Sequence, residues 1–218
     1  MSKILLSLCA FGAVALATPA LAQETTTYNS APTGGFQYGT GNDYTPANAA
    51  VLTSTDGEEL ALRFHQTYVV APASDANGVY SFALGTDPIS FDFSIFGDTS
   101  GSNITLINLL TGNSVSYDPL CPLVVICLND NVVTTSGAIQ NSEQLGFSMF
   151  SALGFDPNVN DTYKAILTSG GYSLTAYAQI GSGAPAVPEP GTWAMMLLGL
   201  AGIGFAMQRR LFEATQPA

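Results

Sequence analysis

Apolar residues recur at every second position through much of the chain's middle, and this alternation limits the fold more than any other feature. Ile89, Phe91, Phe93 and Ile95 alternate with Ser90, Asp92 and Ser94. Tyr80, Phe82 and Leu84 alternate likewise, and from Leu60 to Val70 the even positions are mostly apolar and the odd ones mostly polar or small. A β-strand turns successive side chains to opposite faces, so a period of two predicts strands with one face buried. Arg63 and His65 fall on the polar phase of their strand and read as surface residues. Ile104 to Ile107 and Val115 to Tyr117 continue the strand signals around Thr111-Gly112-Asn113. Tyr163 to Leu167 and Tyr172 to Ile180 flank Ser169-Gly170-Gly171, which predicts a tight hairpin. Asn77-Gly78, Asp87-Pro88, Asp118-Pro119 and Asp156-Pro157 punctuate the strands as turns. Short strands at near-regular spacing predict an all-β sandwich or barrel. One stretch departs from the rule. Ser142 to Phe155 places Leu145, Met149 and Leu153 four apart, which predicts one short amphipathic helix.

The two ends of the 218-residue chain follow other patterns. Lys3 precedes an uncharged apolar run from Ile4 to Ala17, Pro19 stops any helix, and Ala20-Leu21-Ala22 is a small-x-small peptidase site. Residues 1–22 therefore read as a signal peptide, with Ala20 and Ala22 as the small residues before the cut and Gln23 beginning the mature chain. Residues 23–50 are rich in Gly, Asn, Pro and Tyr and read as a flexible polar leader. The expected β-domain spans 51–180, and a Gly/Ser/Ala/Pro linker covers 181–187. Then come Val187-Pro188-Glu189-Pro190, Trp193, an apolar run to Met207, and Arg209-Arg210. The run from 191 to 207 is long enough to span a bilayer at the short end of the range. Trp193 suits the interface, and Arg209 and Arg210 suit a cytoplasmic anchor, leaving 211–218 as a cytoplasmic tail.

Pro188, Glu189, Pro190 and Trp193, with Ala194-Met195-Met196, the Gly-rich apolar segment and the Arg pair, resemble the sorting tail of PEP-CTERM proteins. The resemblance covers about 25 residues, at 188–210. It implies recognition by an exosortase-like membrane protease, cleavage near Pro-Glu-Pro, and delivery to the cell envelope or an exopolysaccharide matrix. The protein would be membrane-anchored only until processed. The strand pattern from Val79 to Gly112, closed by Gly170 to Ile180, also resembles the jelly-roll-like antiparallel ectodomains that precede such tails. A segment of this kind is also labelled an ice-binding-protein C-terminal domain. Thr25-Thr26-Thr27 is a single run, however, and no regular Thr array follows it.

The remaining chemistry is sparse. With 5 Lys+Arg against 16 Asp+Glu, the net charge of -11 excludes nucleic acid as an electrostatic partner. Cys121 and Cys127 are the only cysteines after the signal peptide, in an oxidising compartment. A straight strand would hold their Cα atoms about 20 Å apart, so a disulfide requires the chain to turn at Pro122. The alternative is a buried strand with reduced thiols. Asp156-Pro157-Asn158-Val159-Asn160-Asp161 places oxygens like the start of a calcium loop but lacks the Gly and the closing Glu, so it reads as an Asx-rich turn. No cofactor or metal is implied. A lone His and no Gly-x-Ser-x-Gly elbow argue against catalysis. The reading is a structural or interaction protein of the cell surface. The alternatives are a carbohydrate-binding module for the producer's exopolysaccharide, resting on Tyr28, Tyr38 and Tyr44, and, less favoured, a secreted hydrolase.

Overall fold

The computed structural model describes residues 23–37, 39, 41, 43–120 and 132–183. Among the described residues, eleven strands form two sheets. The strands are β1 (Glu24–Ser30), β2 (Ala49–Ser54), β3 (Glu59–Gln66), β4 (Val79–Phe82), β5 (Ile89–Phe96) and β6 (Asn103–Asn108). They continue with β7 (Ser114–Tyr117), β8 (Val132–Val133), β9 (Ile139–Gln144), β10 (Asp161–Ser169) and β11 (Tyr172–Ile180). The first sheet has the order β1-β2-β3-β5-β9-β8, and the second β4-β11-β10-β6-β7. The all-β expectation holds. The purely antiparallel one does not, because β4 pairs with β11 in parallel. β4 reaches that edge by crossing from the first sheet and so runs alongside β11 rather than back from it.

The predicted hairpin is present. Ser169 faces Tyr172 across Gly170-Gly171, whose φ values of 56° and 86° suit the two central positions of a type I′ turn. Alternation then builds one core between the sheets. Leu60, Leu62 and Phe64 of β3 and Phe91, Phe93 and Ile95 of β5 meet Tyr80, Ile104, Leu106, Tyr163, Ala165 and Leu167 from the second sheet. A run of rings crosses this core. Phe64 lies 6.1 Å from both Tyr80 and Phe91, Phe91 lies 6.0 Å from Phe150, and Phe150 lies 5.3 Å from Tyr117. These are tilted or edge-on separations at which ring quadrupoles attract.

Three sequence expectations change. The helix expected over 142–155 is divided: its first residues complete β9, and only Ser148–Leu153 coils, as a 3₁₀ segment ended by Gly154 with φ 68°. Asn141 and Glu143 pair opposite Phe93 and Phe91, so strand register governs there instead of the spacing of four. The leader expected over 23–50 is structured. Its first part is β1, paired with β2, and its described remainder lies against the first sheet. Finally, β3 and β5 are buried on both faces rather than one, so Arg63 and His65 are fully buried, not on the surface. Phe91→Ala removes the ring that joins Phe64 to Phe150 and is expected to destabilise the fold by about 3–5 kcal/mol, measured as a lowered urea midpoint at unchanged slope.

Candidate functional site

The outer face of the first sheet holds the densest polar arrangement among the described residues. Ser90, Asp92 and Ser94 of β5 share this face with Glu59, Ala61, Arg63 and His65 of β3 and Gln140 and Ser142 of β9. The described residues between 31 and 48 cover it. Phe36 packs with Ala49, Val51 and Ala61 in a small second core, and the Arg63 guanidinium stacks 4.3 Å from the Phe36 ring centre. Gln140 donates to the Gly35 carbonyl at 2.7 Å and accepts from the Gln37 N–H at 2.9 Å. Tyr68 N–H donates to the Gly41 carbonyl at 2.7 Å. Gly39 passes so close to the Ser142 backbone, at φ 116°, that a Cβ there would collide with it.

Four charges sit beneath this cover. Arg63 donates through Nε to Asp92 Oδ2 at 2.7 Å and through Nη2 to Asp43 Oδ1 at 2.8 Å. Its Nη1 donates to the carbonyls of Thr45 at 2.6 Å and Ala47 at 3.0 Å. His65 Nε2 lies 2.9 Å from Asp92 Oδ1, and Nδ1 lies 2.8 Å from the Gln66 carbonyl oxygen. Both oxygens are acceptors, so this geometry favours a proton on each ring nitrogen and stabilises the charged form of the ring. The set thus pairs Arg63 and His65 with the carboxylates of Asp92 and Asp43. Burial pulls the His65 pKa down, but the Asp92 hydrogen bond and charge and the Gln66 carbonyl outweigh it, and the net shift is upward. Burial pushes Asp92 up, and the hydrogen bond and charge of His65 with the charge of Arg63 bring it below the usual carboxylate value.

Both ring nitrogens of His65 are engaged in hydrogen bonds, and the side chains of Arg63, His65 and Asp92 are fully buried. The carboxylates elsewhere hold loops. Asp56 accepts from the Tyr172 hydroxyl at 2.7 Å and from Ser54, and Glu58 accepts from the Asp98 N–H at 2.6 Å. Asp156 accepts from the Asn158 N–H at 2.9 Å, the Asx turn expected there. Among the described residues, no three His, Cys, Asp or Glu side chains are placed to hold a metal ion. Tyr28 packs against the main core and beside Gly78, whereas Tyr44 is exposed next to the Asp43–Thr45 turn, so the two do not form one stacking platform.

Of the positions singled out in the sequence, Gln23 is described. It is exposed, and its backbone exchanges hydrogen bonds with Thr55 at the start of β1. Ala20, Ala22, Cys121, Cys127, Pro188, Glu189, Pro190, Trp193, Arg209 and Arg210 lie outside the described residues, as do Tyr38 and the 191–207 segment. What is described is the point of departure. β11 ends at Ile180, Gly181 N–H donates to the Phe82 carbonyl at 2.8 Å, and the chain leaves at Gly183.

Just beyond this point, residues 186–210 match the PEP-CTERM protein-sorting motif. The β-sandwich is therefore the part of a sorted protein that precedes its signal. The chain carries a PEP-CTERM motif, which implies export, membrane-associated sorting to the cell envelope and processing by an exosortase. No curated protein and no solved structure is significantly similar to the chain.

The pH dependence follows from the buried set. The folded-state pKa of His65 is above its ordinary 6.5, so its contribution is complete below pH 6.5 and fades as pH rises through the raised value. That of Asp92 is below 3.8, so its contribution holds above pH 3.8 and fades as pH falls through the lowered value. Urea midpoints are expected to decline on both sides of that window; His65→Gln is expected to flatten the alkaline decline and, because His65 helps to lower the Asp92 pKa, to move the acid decline to higher pH. Asp92→Asn leaves two buried cations facing one carboxylate and is expected to cost about 3–5 kcal/mol.

Proposed function

We propose that this protein is an exported surface protein whose β-sandwich has a structural or interaction role in the cell envelope or an exopolysaccharide matrix, after exosortase cleavage near Pro188-Glu189-Pro190. The observation that carries the reading is the sorting motif at 186–210, placed directly after the last strand of a single folded unit. Before cleavage the 191–207 segment, with Trp193 at one end and Arg209-Arg210 at the other, holds the chain in the inner membrane. The sandwich then faces outward, in agreement with the signal peptide at 1–22. A non-enzymatic role is supported by the state of His65, which is buried and hydrogen-bonded through both nitrogens.

The test is the intact mass of the native protein from the extracellular matrix fraction. A chain beginning at Gln23 and ending near Pro-Glu-Pro is the expected result, with any excess mass reporting an attached group. Glu189→Ala is expected to leave Trp193 to Ala218 on the chain and to shift most of the protein to the inner membrane. If the wild-type chain itself is found there with its tail intact, the matrix role is wrong and the sandwich is an anchored periplasmic domain.

A further inference from the structure

The two ends of the sandwich differ in chemistry. At one end, the β2–β3 turn, the β5–β6 loop and the β10–β11 hairpin carry Asp56, Glu58, Asp98 and the Tyr172 hydroxyl. At the other end, loops following β3, β4 and β6 and preceding β10 expose large apolar side chains. Tyr68 is 69% exposed, Val70 59%, Leu84 50% and Leu110 45%, with Val69 and Val159 beside them. Among the described residues, all of the exposed large hydrophobic side chains except Tyr44 and Val133 belong to this end. A groove of about 220 Å³ joins two of the loops, with Val69, Val70 and Pro72 on one wall and Phe82, Ala83 and Thr86 on the other. Single exposed hydrophobes need no explanation, but their collection on neighbouring loops of one end marks a contact surface.

The chain itself indicates what that surface meets. β11 delivers it to this end, and a Cβ at Gly181 would lie 3.0 Å from the Leu84 Cγ. Only Ala184 to Pro190 then separate the sandwich from the 191–207 segment. Seven residues reach at most about 25 Å when fully extended. We infer that the Tyr68–Val70 and Leu84 end of the sandwich rests on the outer surface of the bilayer that holds the sorting tail, its side chains entering the interface between headgroups and acyl chains. This inference rests on the membrane tether of the proposed function. Tethering places the end against lipid at an effective concentration on the order of millimolar, so a weak apolar contact suffices. Asp87 and Asp156 are exposed at the same end, so anionic headgroups add no attraction and the contact is apolar. Cleavage of the tail removes the tether and releases the surface.

The test uses the full chain in vesicles of phosphatidylethanolamine and phosphatidylglycerol containing lipid brominated on the acyl chain. Trp193 is the sole tryptophan, so wild-type fluorescence reports the tail. Two variants on a Trp193→Phe background, Tyr68→Trp and Val133→Trp, then report the two ends, with Leu84→Trp as a second probe should the first variant not fold. The expected result is strong quenching of wild-type Trp193 and at least twofold more quenching for Tyr68→Trp than for Val133→Trp. Quenched Trp193 with equal quenching at the two ends overturns this inference and leaves the sorting tail in the membrane. Unquenched Trp193 overturns the tether, and the inference with it. A Tyr68→Trp signal that follows protein density and not brominated lipid reassigns the surface to contact between copies.

Discussion

The carboxylate of Asp92 is the constraint around which the first sheet is arranged. It sits at the centre of that sheet, fully buried, with Arg63 on one oxygen and His65 on the other. An ion so placed is tolerable only if every charge near it is matched and every donor satisfied. Asp43 supplies the second anion, and the carbonyls of Thr45 and Ala47 take the two Nη1 protons of the guanidinium. All three groups come from one covering segment. That segment therefore cannot be a loose leader, because lifting it would strand Arg63. A buried ion set of this kind adds little net stability over an apolar one, but it admits only one docking of the segment on the sheet. The charges thus select the arrangement, and the apolar contacts of Phe36, Ala49, Val51 and Ala61 hold it.

Described residues between 31 and 48 cover the outer face of the first sheet, and the two loop ends of the sandwich differ in chemistry. Those ends divide the work. Carboxylates and hydroxyls hold the turns at one end, and apolar side chains are left outward at the other, where the chain departs toward its sorting motif. A sandwich is well suited to this, because its strands fix the loops rigidly while the loops vary freely.

Much of the molecule was readable before folding. The alternation at Ile89 to Ile95 marked β5, and Ser169-Gly170-Gly171 marked the β10–β11 hairpin, because each depends on neighbours in sequence. The errors share one cause. Arg63 and His65 stand on the polar phase of β3, which in a two-layer sandwich faces water. Nothing local says that a third layer will cover them. The signal available in hindsight was a pair of opposed charges, Arg63 and Asp92, embedded in two strongly apolar strands, preceded by a Gly- and Pro-rich segment rather than a charged one. The division of 142–155 has the same origin, since Asn141 and Glu143 are held in strand register by β5 across the sheet.

The sequence by itself determined the strand class of the middle, the tight turns and the sorting signal, all of which are written in short-range patterns: a period of two, φ-permissive glycines, and a linear sorting motif. The tertiary structure alone decided which face of each strand meets water, that His65 is buried against Asp92 with its pKa raised, and that the apolar loops share an end with the departing tail. Those properties depend on groups distant along the chain, such as Asp43, Arg63 and Asp92, being brought within hydrogen-bonding distance in a place from which water is excluded.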